Sequence, residues 1–148
     1  MSDPQTIERL DIAVLSDAAV ARSLVLRIAL AHGLARRAAG ELALAASELA
    51  TNIVKYGGGR GRLEVVVEPG ALVLVAEDRG AGPPSEAELF GDGISRGRPR
   101  ALDQAISTGR GTGGGALRRL CDAVSVEARE AGGTRIRCAK RLGPGQGR

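Results

Sequence analysis

Three short stretches of the chain carry residue types that could do chemistry together. They are Glu48-Leu-Ala-Thr-Asn52, Asp78-Arg-Gly-Ala-Gly82 and Gly109-Arg-Gly-Thr-Gly-Gly-Gly115. They offer a carboxylate and an amide within one helical turn, an acid at the end of an apolar run, and a flexible segment whose backbone N–H groups can bind anions. A purine, a metal ion and a triphosphate need groups of these kinds. In this order the three stretches therefore indicate a nucleotide site.

The first stretch pairs two polar side chains on a predicted helix. Glu48 and Asn52 lie four residues apart, so they should project from neighbouring points of one helix face. The amide oxygen of Asn52 is a hard ligand suited to Mg²⁺. A carboxylate one turn earlier could orient or deprotonate an attacking hydroxyl or water. Taken alone, the pair is more simply explained as a solvated polar face.

The second stretch follows an apolar run. Leu72-Val-Leu-Val-Ala76 predicts a strand that delivers Asp78 to its C-terminal end. An acid there can accept a hydrogen bond from the exocyclic amine of adenine, and Gly80 and Gly82 would let the chain turn and approach a flat base closely. The alternative is an ordinary acidic turn after a strand.

The third stretch is rich in glycine. Its candidate ligand-binding residues alternate glycine with polar side chains: Gly109, Arg110, Gly111, Thr112 and Gly113. The backbone N–H groups could converge on phosphate oxygens, with Arg110 adding charge at the γ-phosphate and Thr112 a hydroxyl. The run lacks the Gly-Lys-Ser/Thr of a P-loop and the preceding strand of a dinucleotide motif. A flexible linker is the alternative.

The elements that must position these residues follow from hydrophobic periodicity. We predict strands over 7–15, 62–68, 72–77, 124–128 and 134–140, and helices over 18–32, 37–55 and 116–122. Val20, Leu24 and Ile28 should form the buried face of the first helix, and Leu42, Ala46, Leu49 and Ile53 that of the second. The long segment over 78–115 is predicted to be a functional lid with a short helix over 101–106. Residues 143–148 are predicted to be a disordered tail. One α/β domain over 1–142 is expected, with helices on one face of the sheet.

Composition narrows the class of protein. The 148 residues suit one domain, and the 43% hydrophobic content is almost wholly aliphatic, with one Tyr and one Phe. No stretch is long and apolar enough to span a bilayer, and the N-terminus lacks signal-peptide features, so we expect a cytoplasmic protein without membrane partners. Cys121, Cys138 and Tyr56 are interpreted as packing residues. The net charge of +4 comes from scattered arginines without aromatic neighbours, which disfavours nucleic-acid binding.

These motifs together resemble the GHKL superfamily of ATP-binding domains, which includes gyrase, MutL and histidine kinases. Glu48 and Asn52 match its N box, and Asp78 to Gly82 and Gly109 to Gly113 match its two glycine boxes. Thr134, after Gly132 and Gly133, matches a threonine on a late strand that touches the adenine site. The resemblance runs to Lys140 and implies the Bergerat ATP-binding fold, an α+β sandwich with a mixed, mostly antiparallel sheet.

Within that superfamily, the residues 47–56 and 76–82 look most like the small bacterial serine/threonine kinases of partner-switching pathways. The stressosome switch kinase (RsbT type) is the most similar, with the anti-sigma factor kinase (RsbW type) as its relative. The resemblance implies that Asn52 ligates Mg²⁺, Asp78 binds the adenine amine and Glu48 acts as the base. The phosphate of ATP would pass to a Ser or Thr of a STAS-domain antagonist protein.

Other functions stay open at this point. The main alternative is an ATP-binding anti-sigma factor that acts by sequestering its partner, a sigma factor, or by activating a PP2C-type phosphatase. A third is an ATP hydrolase without a protein substrate. Histidine kinase activity is disfavoured because no dimerising helix carries a phospho-acceptor, and His32 is expected to be a capping or surface residue. A homodimer is compatible with the pattern. The arginine-rich segment 90–108 could bind the nucleotide or the partner.

Overall fold

The computed structural model describes residues 3–80 and 113–143. Within these two segments there are eight elements: β1 (Gln5–Ile12), α1 (Asp17–Ala31), α2 (Arg36–Tyr56), β2 (Gly61–Glu68), β3 (Ala71–Asp78), α3 (Gly113–Leu120), β4 (Ala123–Ala128) and β5 (Thr134–Arg141). All eight were predicted, with ends that differ by up to three residues. The predicted helix over 101–106 and the tail beyond 143 lie outside the described residues.

The sheet has five strands in the order β1-β2-β3-β5-β4, and every neighbouring pair is antiparallel. β3 is central, so its last residues lie beside the start of β2 and the start of β5. Gly61 is opposite Asp78 and Arg135 is opposite Glu77 in this register. The predicted α+β architecture with a mostly antiparallel sheet is confirmed.

The helices cover one face of this sheet, and the core lies between them and the strands. The predicted stripe of α2 is confirmed, since Leu42, Ala46, Leu49 and Ile53 are all buried. Leu117 of α3 is fully buried in the same core. The alternating residues Leu72, Leu74 and Ala76 of β3 complete it from below.

The predicted buried face of α1 is only partly correct. Ile28 is partly buried against the core, but Val20 is 54% exposed, and the fully buried residues are Ala21, Val25 and Ala29. The reason is that α1 is apolar around most of its circumference, so a spacing of four residues fits more than one face. The small alanines let α1 come close to α2, which decides the orientation.

Three other side-chain predictions can be compared with the structure. Cys121 and Cys138 are buried free thiols, as expected. Tyr56 is instead 54% exposed, because it lies one turn beyond Ile53, the last buried residue of α2. His32 follows α1 at the surface, where its Nδ1 lies 3.0 Å from the Ile28 carbonyl oxygen. Within the two described segments, no helix has the length and apolarity to cross a bilayer.

Candidate functional site

The end of β3 is where distant parts of the chain meet. Asp78 is the last residue of β3, and its Oδ1 accepts hydrogen bonds from the backbone N–H groups of Gly80 at 2.9 Å and Thr134 at 3.3 Å. Thr134 is buried as the first residue of β5. The structure therefore brings together Asp78, Gly80 and Thr134, three residues that the sequence motifs single out.

Glycines allow the backbone segments to approach this closely. A Cβ atom on Gly57, directly after α2, would lie 2.8 Å from Asp78 Oδ2, and one on Gly80 would lie 2.9 Å from the Gly57 carbonyl carbon. A Cβ on Gly133 would overlap the Asp78 carbonyl oxygen. Because real Cβ atoms do not come within 3.0 Å of such neighbours, only glycine fits at these three places. The contact of Gly80 with Gly57 packs the end of α2 onto β3, a role that sequence analysis did not assign to it.

Only one of the two carboxylate oxygens of Asp78 accepts hydrogen bonds from the described residues. Its Oδ1 takes two backbone N–H groups, whereas no donor among the described residues reaches Oδ2. Burial raises the pKa of Asp78, and the hydrogen bonds from Gly80 and Thr134 and the charge of Arg129 offset only part of this effect. An acceptor oxygen that is partly desolvated and receives no hydrogen bond from the described residues suits a ligand amino group.

Arg129 is a site residue that sequence analysis missed. Its Nη1 donates hydrogen bonds to the carbonyl oxygens of Asp78 at 2.8 Å and Gly132 at 3.2 Å. It therefore ties the turn between β4 and β5 to the end of β3. No sequence signal could identify this contact, because 51 residues separate Arg129 from Asp78. From the sequence alone, Gly57 indicates only the end of a helix, and Gly133 indicates only a turn.

Glu48 and Asn52 extend the site along α2. Both side chains are partly buried, and Asn52 precedes Gly57 by about 7.5 Å along the helix axis. Ile53 is buried against the sheet near Gly61, so Asn52 lies at the border of the buried face. Neither Glu48 nor Asn52 has a hydrogen-bond or ion-pair partner within residues 3–80 and 113–143. Both groups remain available to a ligand.

The donor set fits a magnesium ion that is held mainly by a bound ligand. No cluster of three or more His, Cys, Asp or Glu side chains occurs in the described parts of the chain. Mg²⁺ binds readily through one protein oxygen together with phosphate oxygens and water. The amide of Asn52 can supply that protein oxygen.

The glycine-rich stretch is described only at its end. Gly113 is the first residue of α3, which packs against α2. The helix therefore begins three residues before the predicted start at 116 and includes the last glycines of the stretch. A helix N-terminus that follows glycines directly is suited to binding phosphate. Gly82, Gly109, Arg110, Gly111 and Thr112 lie outside the described residues.

Comparison with known families shows to which family the chain belongs. The family model of the Histidine kinase-like ATPase domain matches residues 13–140, which is most of the chain. The chain belongs to this family. The matched range contains α2, the end of β3 and the start of β5, and thus every candidate residue from Glu48 to Thr134. No curated protein shows significant similarity to the chain.

Family membership confirms the GHKL resemblance and supports ATP binding by this ATPase domain, usually with Mg²⁺. The family includes both kinases and ATPases, so membership alone does not select between phosphate transfer to a protein and transfer to water.

Proposed function

We propose that this chain is an ATP-dependent serine/threonine protein kinase of a bacterial partner-switching pathway. In this proposal it acts in the cytoplasm, resembles the RsbT type, and phosphorylates a STAS-domain antagonist protein that controls a sigma factor or a stress response. The observation that carries the proposal is the position of Glu48. Its carboxylate lies one helical turn from Asn52, partly buried and without a described partner.

Each described residue has a task in this mechanism. Asp78 Oδ2 accepts a hydrogen bond from the adenine amine while Oδ1 stays bound to the N–H groups of Gly80 and Thr134. The amide of Asn52 would be the protein ligand of Mg²⁺, which would supply charge neutralisation for the triphosphate. The N–H groups at the start of α3 would donate hydrogen bonds to phosphate oxygens.

Glu48 is the general base of this reaction. It takes the proton from the attacking hydroxyl as the bond forms between that oxygen and the γ-phosphorus and as the bond to ADP breaks. A carboxylate can do this when it lies close to the phosphates and is not held in an ion pair. Glu41, on the same helix, has no such freedom, because Lys140 Nζ donates to its Oε1 at 2.6 Å.

The decisive experiment compares two carboxylates. We expect Glu48→Gln to lower the rate of phosphate transfer to a STAS-domain substrate about 100-fold and to leave ATP affinity within about twofold. Glu127→Gln is the matched control, since Glu127 is exposed on β4 and pairs with Arg135. Both variants are incubated with labelled ATP, Mg²⁺ and a panel of STAS-domain proteins. Full phosphate transfer by the Glu48 variant would refute the assignment of the base.

Sequestration of a protein partner is the second candidate function. The observation that favours it is the exposed apolar surface of α1, where Val20 is 54% and Leu30 is 45% exposed. In this alternative the protein is an ATP-binding anti-sigma factor, or an activator of a PP2C-type phosphatase, and Glu48→Gln does not change its action. A pull-down of sigma factors by the wild type and by Val20→Glu tests it, since only a docking surface on α1 would be lost.

Hydrolysis without a protein substrate gives a different result. Steady release of phosphate from ATP in the absence of any partner, unaffected by added STAS-domain proteins, would favour a simple ATPase. Sedimentation with and without ATP would establish whether the kinase is a homodimer.

A further inference from the structure

A cleft of about 530 Å³ opens beside the end of the sheet and shares Arg129 with the candidate nucleotide site. Its charged lining consists of four arginines and two carboxylates: Arg60, Arg62, Arg79, Arg129, Asp11 and Glu77. Asn52, Asp78 and Thr134 are not part of the lining. Because neighbouring residues of a strand point to opposite faces, Glu77 places this cleft on the face of β3 opposite to Asp78 and the helices.

The arginines of the cleft fall into two groups. Arg62 and Arg129 are engaged with Glu77, at 3.1 Å and 3.9 Å, and Arg135 from outside the cleft reaches the same carboxylate at 2.6 Å. Glu77 is therefore fully compensated. Arg60 and Arg79 are exposed and make no ion pair or hydrogen bond with any residue in 3–80 or 113–143. Asp11 likewise has no ion-pair partner among these residues, but four arginines against two carboxylates still give the described lining a net charge of +2.

We propose that this cleft binds an acidic peptide segment of a partner protein, with Arg60 and Arg79 as the anchors. A guanidinium group pairs with a carboxylate through two parallel hydrogen bonds, which suits the side chains of Asp and Glu. The volume is that of a pocket for a ligand of several residues rather than for one small anion. Ala13 is exposed and adds apolar surface to the lining, so an apolar residue among the acids completes the match.

The charges around the cleft argue against nucleic acid as its ligand. Carboxylates alternate with arginines along the open face of the sheet, where Glu64 pairs with Arg9 at 2.9 Å and Glu127 pairs with Arg135 at 3.0 Å. A phosphodiester backbone would meet these acids at regular intervals, whereas a short acidic peptide need only contact Arg60 and Arg79. Among the described residues that line the cleft, none is aromatic and able to stack on a base.

A direct binding experiment tests the proposal without any phosphate transfer. The full chain is titrated against a fluorescein-labelled peptide of glutamates with one central leucine, and binding is followed by fluorescence anisotropy at low and at physiological salt. We expect the combined variant Arg60→Glu, Arg79→Glu to weaken binding at least about tenfold. The matched control Arg22→Glu, Arg27→Glu makes the same change of net charge at two exposed arginines of α1 and should leave the affinity within about twofold.

Several results would overturn the proposal. They are absence of peptide binding by the wild type, equal losses in both double variants, or equal binding of a peptide in which glutamine replaces glutamate. Tighter binding of single-stranded RNA with the same sensitivity to Arg60 and Arg79 would assign the cleft to nucleic acid instead. Displacement of the peptide by inorganic phosphate at equal concentration would assign it to a small anion. If charge reversal unfolds the protein, Arg60→Gln and Arg79→Gln provide the same comparison, with thermal unfolding and ATP binding as checks of folding.

Discussion

Glu77 and Asp78 are adjacent acids at the end of β3, yet the structure treats them in opposite ways. Asp78 faces the helices, and burial raises its pKa because two backbone N–H groups and Arg129 only partly compensate. Glu77 faces the open side of the sheet. Burial also acts to raise its pKa, but the hydrogen bond and charge of Arg135, the charge of Arg129 and the hydrogen bond from Arg62 outweigh this, and the net shift is downward.

The difference in hydrogen bonding indicates that Glu77 stabilises the fold, whereas Asp78 keeps an acceptor oxygen for a ligand. Both carboxylate oxygens of Glu77 accept hydrogen bonds from arginines of the chain, so the ionisation of Glu77 stabilises the fold. Asp78 keeps Oδ2 free of described donors, so its ionisation opposes folding and leaves an acceptor for a ligand. Sites that bind a ligand commonly hold such incompletely satisfied groups.

We expect the largest effect from a substitution that fills the space between Gly133 and the Asp78 carbonyl oxygen. We expect Gly133→Ala to lower the free energy of unfolding by about 3 kcal/mol or more and to weaken ATP binding, because the added methyl group overlaps the Asp78 carbonyl oxygen and φ at this residue is 96°. Gly132→Ala is the matched control, with φ of 102° and open space around the new Cβ. It should cost about 1 kcal/mol, the strain of the backbone alone. Equal losses in urea unfolding would contradict the close contact.

Removing the charge of Asp78 tests its role as the acceptor. In Asp78→Asn the Oδ1 atom can still accept from Gly80 and Thr134, but an NH₂ group replaces Oδ2 and meets the adenine amine as a second donor. We expect ATP affinity, measured by calorimetry with Mg²⁺, to fall about 100-fold. The free energy of unfolding at neutral pH should not fall, because the variant no longer buries a charge. Unchanged ATP binding would remove Asp78 from the site.

The same isosteric change at Glu77 should give the reverse result. Glu77→Gln leaves Arg62, Arg129 and Arg135 without their shared counter-charge, and we expect a loss of about 1 kcal/mol in the free energy of unfolding. ATP affinity should stay within about twofold, since Glu77 faces away from the nucleotide site. Glu64→Gln is the control on the same face. Its partners Arg9 and Arg62 have side chains 64% and 45% exposed, so the loss should be smaller.

The smallest effect is a difference in pH dependence. The pKa of Glu77 is lowered by folding, so its stabilisation is present above the unfolded value and is lost as the pH falls through the folded value. The pKa of Asp78 is raised, so the cost of its ionisation is present above the folded value and disappears on acidification. Melting temperatures measured between about pH 7 and pH 3 should therefore show the deficit of Glu77→Gln and the advantage of Asp78→Asn both shrinking as the pH falls. A constant difference for either variant would contradict the corresponding shift.

The amino-acid sequence by itself determined the order of the elements, the buried stripe of α2 and the place of Asp78 at a strand end. These follow from local spacing, since helix and strand periods bring residues to one face whatever the rest of the chain does. The same spacing also put Glu48 and Asn52 one turn apart. It placed the buried face of α1 only partly, because apolar residues lie on several sides of this helix and so define no single face.

Only the tertiary structure decided which oxygen of Asp78 accepts hydrogen bonds from the described residues, that Gly57, Gly80 and Gly133 are needed for close contact, and that Arg129 contacts the end of β3. It also decided that the two neighbouring acids of β3 have opposite pKa shifts. Their contacts come from segments far away in the chain, and the desolvation of each carboxylate depends on what those segments cover. Local patterns contain no information on such distances, so these properties appear only when the strands and helices have packed.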